Sequence, residues 1–247
     1  FKNLLKEDLL RFFEDLHSNS VNLGGINTAY ITLLPKKDTP LDIKDYRPIS
    51  LVHSIPKLAS KVMTNRLQKQ IPELGHSLQS GFLKGRSIVE NFALAAKLIQ
   101  CAHKRKLLVI ALKLDFHKAF DSVSWDCLSQ VLVARGFPQP WRHWVNNLLS
   151  SGSPRVMIYG ELGPPIPAKR GFRQGDSMSP YLFLLVVDVL QRLCCLHFQN
   201  GLLQHPLGVD RFFPVLQYVD DTLIIFKGDL QQAMMKVQLS LGGFGNS

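Results

Sequence analysis

The spacing of apolar and polar positions divides the chain into helix-period and strand-period stretches. Leu5, Leu9, Phe12, Phe13 and Leu16 recur on one helical face, with Lys6, Glu7, Asp8, Glu14 and Asp15 mostly elsewhere, so residues 1–17 are predicted to form an amphipathic helix. Thr28 to Leu34 is a β-rich run stopped by Pro35, and the Pro-, Lys- and Asp-rich sequence after it reads as a long polar loop to Pro48. Ser54 and Pro56 open a predicted helix that reaches Gln70 and stops at Pro72. Ser87 and Glu90 have the spacing of a capping box and start a helix to about His103.

Leu107 to Leu114 is short, nearly continuous apolar sequence bounded by charge, which suits a strand buried on both faces and ending at Asp115. Helices are predicted over Ser124 to Arg135, with Gly136 at the end, and over Pro140 to Ser150. Short strands are predicted over Arg155 to Tyr159 and Ile166 to Arg170. A helix from Ser179 and Pro180 to Phe198 follows. Val215 to Val219 and Thr222 to Phe226 read as two strands of a hairpin with Asp220 and Asp221 at its tip. A last helix is predicted over Leu230 to Leu241. No internal repeat or low-complexity tract interrupts the series.

The 247 residues are 46% hydrophobic, which excludes a disordered or collagen-like chain and suffices for a core without a disulfide or metal staple. Charge changes the picture more. The chain has 29 Lys and Arg against 19 Asp and Glu, a net +10, and that excess predicts attraction to a polyanion, nucleic acid before a membrane surface. The longest strongly apolar stretch, Tyr181 to Val187, is interrupted by Asp188, and the N-terminus lacks the pattern of a signal peptide, so an intracellular protein without a membrane partner is expected. Cys101, Cys127, Cys194 and Cys195 have no metal-ligand spacing and are expected to be reduced thiols.

Asp115, Asp220 and Asp221 stand out because each ends an apolar strand, where a bare charge is costly unless solvent, a cation or hydrogen bonds receive it. Adjacent aspartates repel when ionised, and a divalent cation with hard oxygen ligands relieves that repulsion. A third carboxylate on a neighbouring strand would let two ions clamp the two oxygens of a phosphoryl displacement. For the Asp-Asp dipeptide alone a polar turn serves as well. Asp121 and Asp126 read as acids flanking a helix start. Lys169 to Pro180 is a basic, glycine-containing loop running into a helix, a pattern that can face phosphate or simply cap the helix. His103 to Lys106 reads as a solvated edge.

Together the pieces resemble the reverse transcriptases of non-long-terminal-repeat, LINE-type retrotransposons, close to those of plants. In order, the matching motifs are LLPKK at 33–37, DYRPISL at 45–51, Lys57 to Leu67, QSGFLKGRSI at 79–88, LKLDFHKAFDSVSW at 112–125, RGFRQGDSMSP at 170–180 and QYVDDT at 217–222. The resemblance implies an α+β right-handed polymerase of which this chain supplies fingers and palm, the palm a small antiparallel sheet backed by helices. It implies RNA-directed DNA polymerase activity, with RNA template, DNA primer and deoxynucleotides as partners and two Mg²⁺ ions, or Mn²⁺, as cofactors. Asp115, Asp220 and Asp221 would be the catalytic metal ligands, with the backbone of Phe116. Phe120 would be the aromatic gate against a ribose 2′-hydroxyl. Arg47, Lys57, Gln174 and Gly175 would form the nucleotide site, while Lys84, Arg86, Arg173 and Tyr218 would meet nucleic acid. With Lys169 and Arg170 these cations would line a basic groove.

Residues 1–106 are expected to hold the N-terminal helix and fingers, and 107–247 the palm, with 136–170 at their junction. The sequence departs from the family at Ser177-Met178, where Pro-Leu is common, and at Val219, where alanine is common. No thumb is expected after LGGFGNS and no endonuclease upstream, so weak activity or none is expected of the chain by itself. A degenerate element that binds nucleic acid without catalysis is the alternative. A nuclease would leave the basic glutamine-glycine loop and aromatic gate unexplained, and a structural module would leave the three acids unexplained. A nuclear or ribonucleoprotein location follows by analogy.

Overall fold

The structure, a computed structural model, describes residues 2–116, 118–209 and 213–228. In chain order the elements are α1 (Lys2–His17), β1 (Thr28–Pro35), β2 (Tyr46–Val52), α2 (Ser54–Leu74), α3 (Ile88–Lys104), β3 (Val109–Leu114), α4 (Ala119–Ser122), α5 (Trp125–Ala134), α6 (Gln139–Ser150), β4 (Ser153–Ile158), β5 (Glu161–Pro165), α7 (Ser179–Gln199), β6 (Val215–Tyr218) and β7 (Asp221–Lys227). The helix expected over Leu230 to Leu241 lies outside the described residues.

Two compact units divide the chain, one of Phe1–Lys69 with Lys118–Phe183, the other of Gln70–His117 with Leu184–Ser247. Both units draw on residues from either side of position 106. Each unit takes two stretches because its pairing strands are distant in sequence, β1 with β4 in one and β3 with β7 in the other.

The first unit has a four-stranded sheet in the order β2-β1-β4-β5, with β1 and β4 parallel and the outer pairs antiparallel. Strand β2 begins inside the polar loop expected to run to Pro48. Pro48 argues against an interior strand, but β2 lies at the sheet edge, where a missing N–H breaks no ladder. Strand β5 ends at Pro165 rather than occupying Ile166 to Arg170, because β4 turns back at once through Tyr159 and Gly160, both at positive φ. Asn27, fully buried, ties β1 to α6: its Nδ2 donates to Leu148 O at 2.8 Å and to Ser151 Oγ at 2.7 Å.

The second unit has a three-stranded antiparallel sheet in the order β3-β7-β6. One face carries Val215, Ile224 and Phe226 against Leu190 and Cys194 of α7, with Ile110, Leu112 and Leu114 alongside. The other face carries Leu216 and Ile225 against Ala95 and Leu98 of α3. A fully buried side chain of this size contributes roughly 1.5–3 kcal/mol. Strand β3 is an edge strand with Ala111 and Lys113 exposed, so the expectation of burial on both faces fails.

Helix α2 continues through Pro72 to Leu74, since a proline in the last turn forfeits a single backbone bond with little helix left to propagate. Helix α7, at 21 residues, is long and apolar enough to cross a membrane by length and composition. Half of that stretch is buried in the fold, and Asp188 within it accepts from Arg192 Nε at 2.8 Å, as suits a core helix.

Candidate functional site

In the second unit, β6 and β7 are joined by a two-residue turn, Val219-Asp220, between the paired residues Tyr218 and Asp221. Val219 has φ +58° and Asp220 does not share the positive sign, the II′ pattern in which glycine normally takes the first position. A β-branched residue there is strained. Direct cross-strand partners share a face, so Tyr218, Asp221, Leu223 and Lys113 lie on the α3 side of the sheet. Leu114 pairs with Thr222, and one further step in that register sets Asp115 opposite Asp221. Strand ends and turn thus bring Asp115, Asp220 and Asp221 to one end of the sheet.

Asp115 and Asp221 are exposed, and Asp220 is partly buried. Asp221 accepts an ion pair from Lys113 Nζ at 3.2 Å, diagonal across the β3/β7 ladder. Three like charges at one sheet end repel, and among the described residues no group of three or more His, Cys, Asp or Glu side chains is drawn together to hold an ion. The donor chemistry nevertheless fits a hard divalent cation. The carboxylate oxygens after β3, in the β6/β7 turn and at the start of β7 offer no nitrogen or sulfur, and Lys113 supplies a counter-charge.

In the first unit, the loop before α7 is pinned from three directions. Gly171 N donates to Val123 O and Phe172 N to Phe120 O, while Trp125 Nε1 donates to Gly171 O at 2.8 Å. Gly171, at φ +78°, lies so close to Asp121 that a Cβ would stand 2.6 Å from its carbonyl oxygen. Ser50 N of β2 donates to Gln174 O at 2.9 Å. Asp176 accepts from Met178 N at 3.0 Å and from Ser60 Oγ on α2. What remains is a cavity of about 290 Å³ lined by Phe120, Arg173, Gln174, Gly175, Asp176, Ser179 and Pro180. Phe120 stacks on Phe183 with ring centroids 4.5 Å apart, and Gln174 Nε2 donates to Asp121 Oδ1 at 3.2 Å. A partly apolar cleft with a few fixed polar groups is the usual form of a small-molecule site.

Comparison with known proteins decides the family. The family described as "Reverse transcriptase (RNA-dependent DNA polymerase)" matches residues 34–244. This chain belongs to the reverse transcriptase family. Its relatives are of the non-long-terminal-repeat retrotransposon type. They include the Xenopus laevis transposon TX1 149 kDa protein, 30% identical over 83% of this chain and 16% of that protein. Another is the R2 retrotransposable element polyprotein of Popillia japonica, 28% identical over 81% of this chain and 27% of its own length. A third is the mobile element jockey RNA-directed DNA polymerase of Drosophila melanogaster, 28% identical over 73% and 20%. The chain thus spans about a quarter or less of these relatives. Among solved structures it shares its fold with apo telomerase from Candida tropicalis (TM-score 0.61, 12% identity, 94% of this chain and 46% of that one). Candida albicans telomerase in complex with a fragment of telomeric RNA is also similar (TM-score 0.60, 13% identity, 88% and 40%).

Within this reverse transcriptase domain the predicted residues divide by whether their side chains are free. Arg47 on β2, Lys57 in the first turn of α2, Lys84, Lys169 and Arg170 are exposed, and Tyr218 is 42% exposed. Phe116 is partly buried against the core of its unit. Two arginines expected to face nucleic acid turn inward instead. Arg86 Nη1 donates to His76 O at 2.6 Å and Gln79 O at 2.9 Å, and its Nη2 to Pro72 O at 3.3 Å. Arg173 Nη1 donates to Asn27 Oδ1 at 2.6 Å and Nη2 to Leu148 O, and burial pushes its guanidinium below the usual pKa, opposed by Asp176. Arg173 gives the buried Asn27 amide oxygen a donor, and Arg86 gives donors to the backbone carbonyls of His76 and Gln79. Residue type announces charge and says nothing of direction. Sequence reasoning also passed over Lys113, Asp176 and Gln79. For Asp176 a signal existed: Ser60 and Thr64, spaced i,i+4, interrupt the apolar face of α2 formed by Ala59, Met63, Leu67 and Ile71.

Proposed function

We propose that this chain supplies the fingers and palm of an RNA-directed DNA polymerase that joins a deoxynucleotide to a primer 3′-hydroxyl along an RNA template. The observation that supports the reading is the register, which puts Asp115, Asp220 and Asp221 at the same end of the β3-β7-β6 sheet, on a chain of this family. Those three carboxylates and the Phe116 carbonyl are the groups that would hold two Mg²⁺, or Mn²⁺ in their place. Bound ions supply Lewis-acid charge at the attacking hydroxyl and at the departing pyrophosphate. Lys113 screens Asp221 until a cation takes its place.

The other residues bind and orient. The cavity beside Phe120 takes the sugar and base, the ring face limiting room at the 2′ position, with Gln174 and Gly175 as its wall. Gly175 has φ +107°, and a Cβ there would lie 3.0 Å from Ser50 O, so this part of the wall is bare backbone packed against β2. Arg47 and Lys57 are free cations for the triphosphate, and Lys84 with Tyr218 for template and primer. Positioning and charge do most of the work in such a transfer. The fitting location is intracellular, in the nucleus or a ribonucleoprotein, by analogy with the family.

The test is Mg²⁺-dependent primer extension on an RNA template with deoxynucleotides, by this chain and by a longer polypeptide that continues past Ser247. Asp220→Asn is expected to abolish incorporation. Equal incorporation by the variant and its parent would refute the metal assignment. A chain that binds template and primer but never extends in either form favours the non-catalytic reading.

A further inference from the structure

The segment Leu78 to Gly81 lies against the acid-bearing hairpin through a single β-bridge. Gln79 and Gln217 form a parallel bridge, Gln217 N donates to Leu78 O at 3.1 Å, and Ser80 N and Oγ both reach Gln217 O, at 3.0 and 3.2 Å. Asn91 Nδ2 from α3 fastens the same place, donating to Leu78 O, Ser80 Oγ and Gln217 O. Within this frame the buried Gln79 amide closes on the strained turn residue. Its Oε1 accepts from Val219 N at 3.0 Å and from Gly81 N at 2.9 Å, and its Nε2 donates to Val219 O at 3.4 Å. Both peptide groups of Val219 are therefore held by one side chain. Gly81 completes the seat, since a Cβ there would stand 2.5 Å from Val219 Cγ2.

We infer that Gln79 is a positioning residue: its amide holds Val219 at positive φ and thereby fixes the direction of the next residue, Asp220. The role of Asp220 rests on the polymerase reading above, whereas the clamp itself does not. The chemistry is specific to a primary amide. A carboxylate accepts both N–H groups but cannot donate to Val219 O, and an apolar side chain of equal length does neither. Valine, being β-branched, resists a positive φ, whereas glycine adopts it freely. The clamp is thus needed because residue 219 is valine, and the need disappears with glycine.

The experiment is a double-substitution cycle on the full chain with Gln79→Met, Val219→Gly and both together, read first by amide hydrogen exchange at residues 217–222. Gln79→Met is expected to speed exchange at Val219 and Asp220 by about 10-fold or more, and to do so by less than about 3-fold in the Val219→Gly background. Mn²⁺ titration is expected to follow the same pattern, with weaker binding in Gln79→Met and recovery in the double variant. If Gln79→Met does not fold, Gln79→Glu takes its place and is expected to give a smaller increase that Val219→Gly again removes. Unchanged exchange, or an increase that Val219→Gly leaves intact, overturns the clamp. In an extending polypeptide, loss is expected in kcat rather than in the deoxynucleotide KM. A parent that never extends, with the exchange pattern intact, overturns the polymerase reading and leaves the clamp standing.

Discussion

Replacing Arg173 by methionine separates a structural arginine from a phosphate-binding one. The guanidinium donates to Asn27 Oδ1 and Leu148 O, and Asn27 is wholly shielded from solvent. A hydrogen bond from a charged donor contributes about 1.5–3 kcal/mol, and an acceptor left buried without a donor costs about 1–3 kcal/mol. Against this, methionine no longer pays the desolvation that lowers the Arg173 pKa. A net loss of about 2–4 kcal/mol remains, equivalent to a fall in Tm of roughly 5–15 °C at 2–4 °C per kcal/mol. Arg173→Lys keeps a charge but loses the fork that reaches two acceptors, and is expected to recover only part of the loss. The assay pairs thermal unfolding with binding of deoxynucleoside triphosphate at a temperature where both variants are folded. An unchanged Tm accompanied by lost triphosphate binding would mean that the side chain faces ligand and that the inward assignment is mistaken.

Gly81→Ala puts a methyl group 2.7 Å from Val219 N, a backbone atom that cannot step aside, and is expected to cost about 1–3 kcal/mol, visible as a lower urea midpoint at constant m. Lys113→Ala removes a partner from an exposed pair and is expected to change stability by less than about 1 kcal/mol; a Tm shift beyond about 4 °C would show that the pair is coupled to the sheet. Burial, with the neighbouring Cys195, pushes the Cys194 thiol from 9.0 up to about 12. Its folded pKa lies above the unfolded one, so the stability it contributes is fully present below pH 9 and is lost as pH rises toward 12. Cys194→Ala is expected to flatten that alkaline limb of a denaturation profile, and an identical limb in both proteins counts against the assignment.

The helices were readable because caps and periodicity are local. Ser87 accepts from Val89 N at 3.2 Å, and Ser124 caps α5 by accepting from Cys127 N at 3.4 Å. The acids were readable for a similar reason, each following an apolar strand that could not keep it. Strand β2 was not, because its stability comes from pairing with β1 and its sequence carries an arginine and a proline. The two arginines illustrate a deeper limit. Arg173 finds Asn27 across 146 positions, and nothing in the nearby sequence marks that partner. Gln79 was invisible for the same reason: its meaning depends on a backbone angle 140 residues away.

Only Val219 and Asp220 separate the last paired residues of the hairpin, so the connection has no slack. An inserted residue that shifted the pairing by one would turn every following side chain of β7 to the opposite face, sending Asp221 inward and the buried Thr222 outward. A deletion would open the tightest loop two antiparallel strands can use. A change in the length of this turn is therefore expected to disturb the placement of Asp220 and Asp221 more than a change of side chain at residue 219 does.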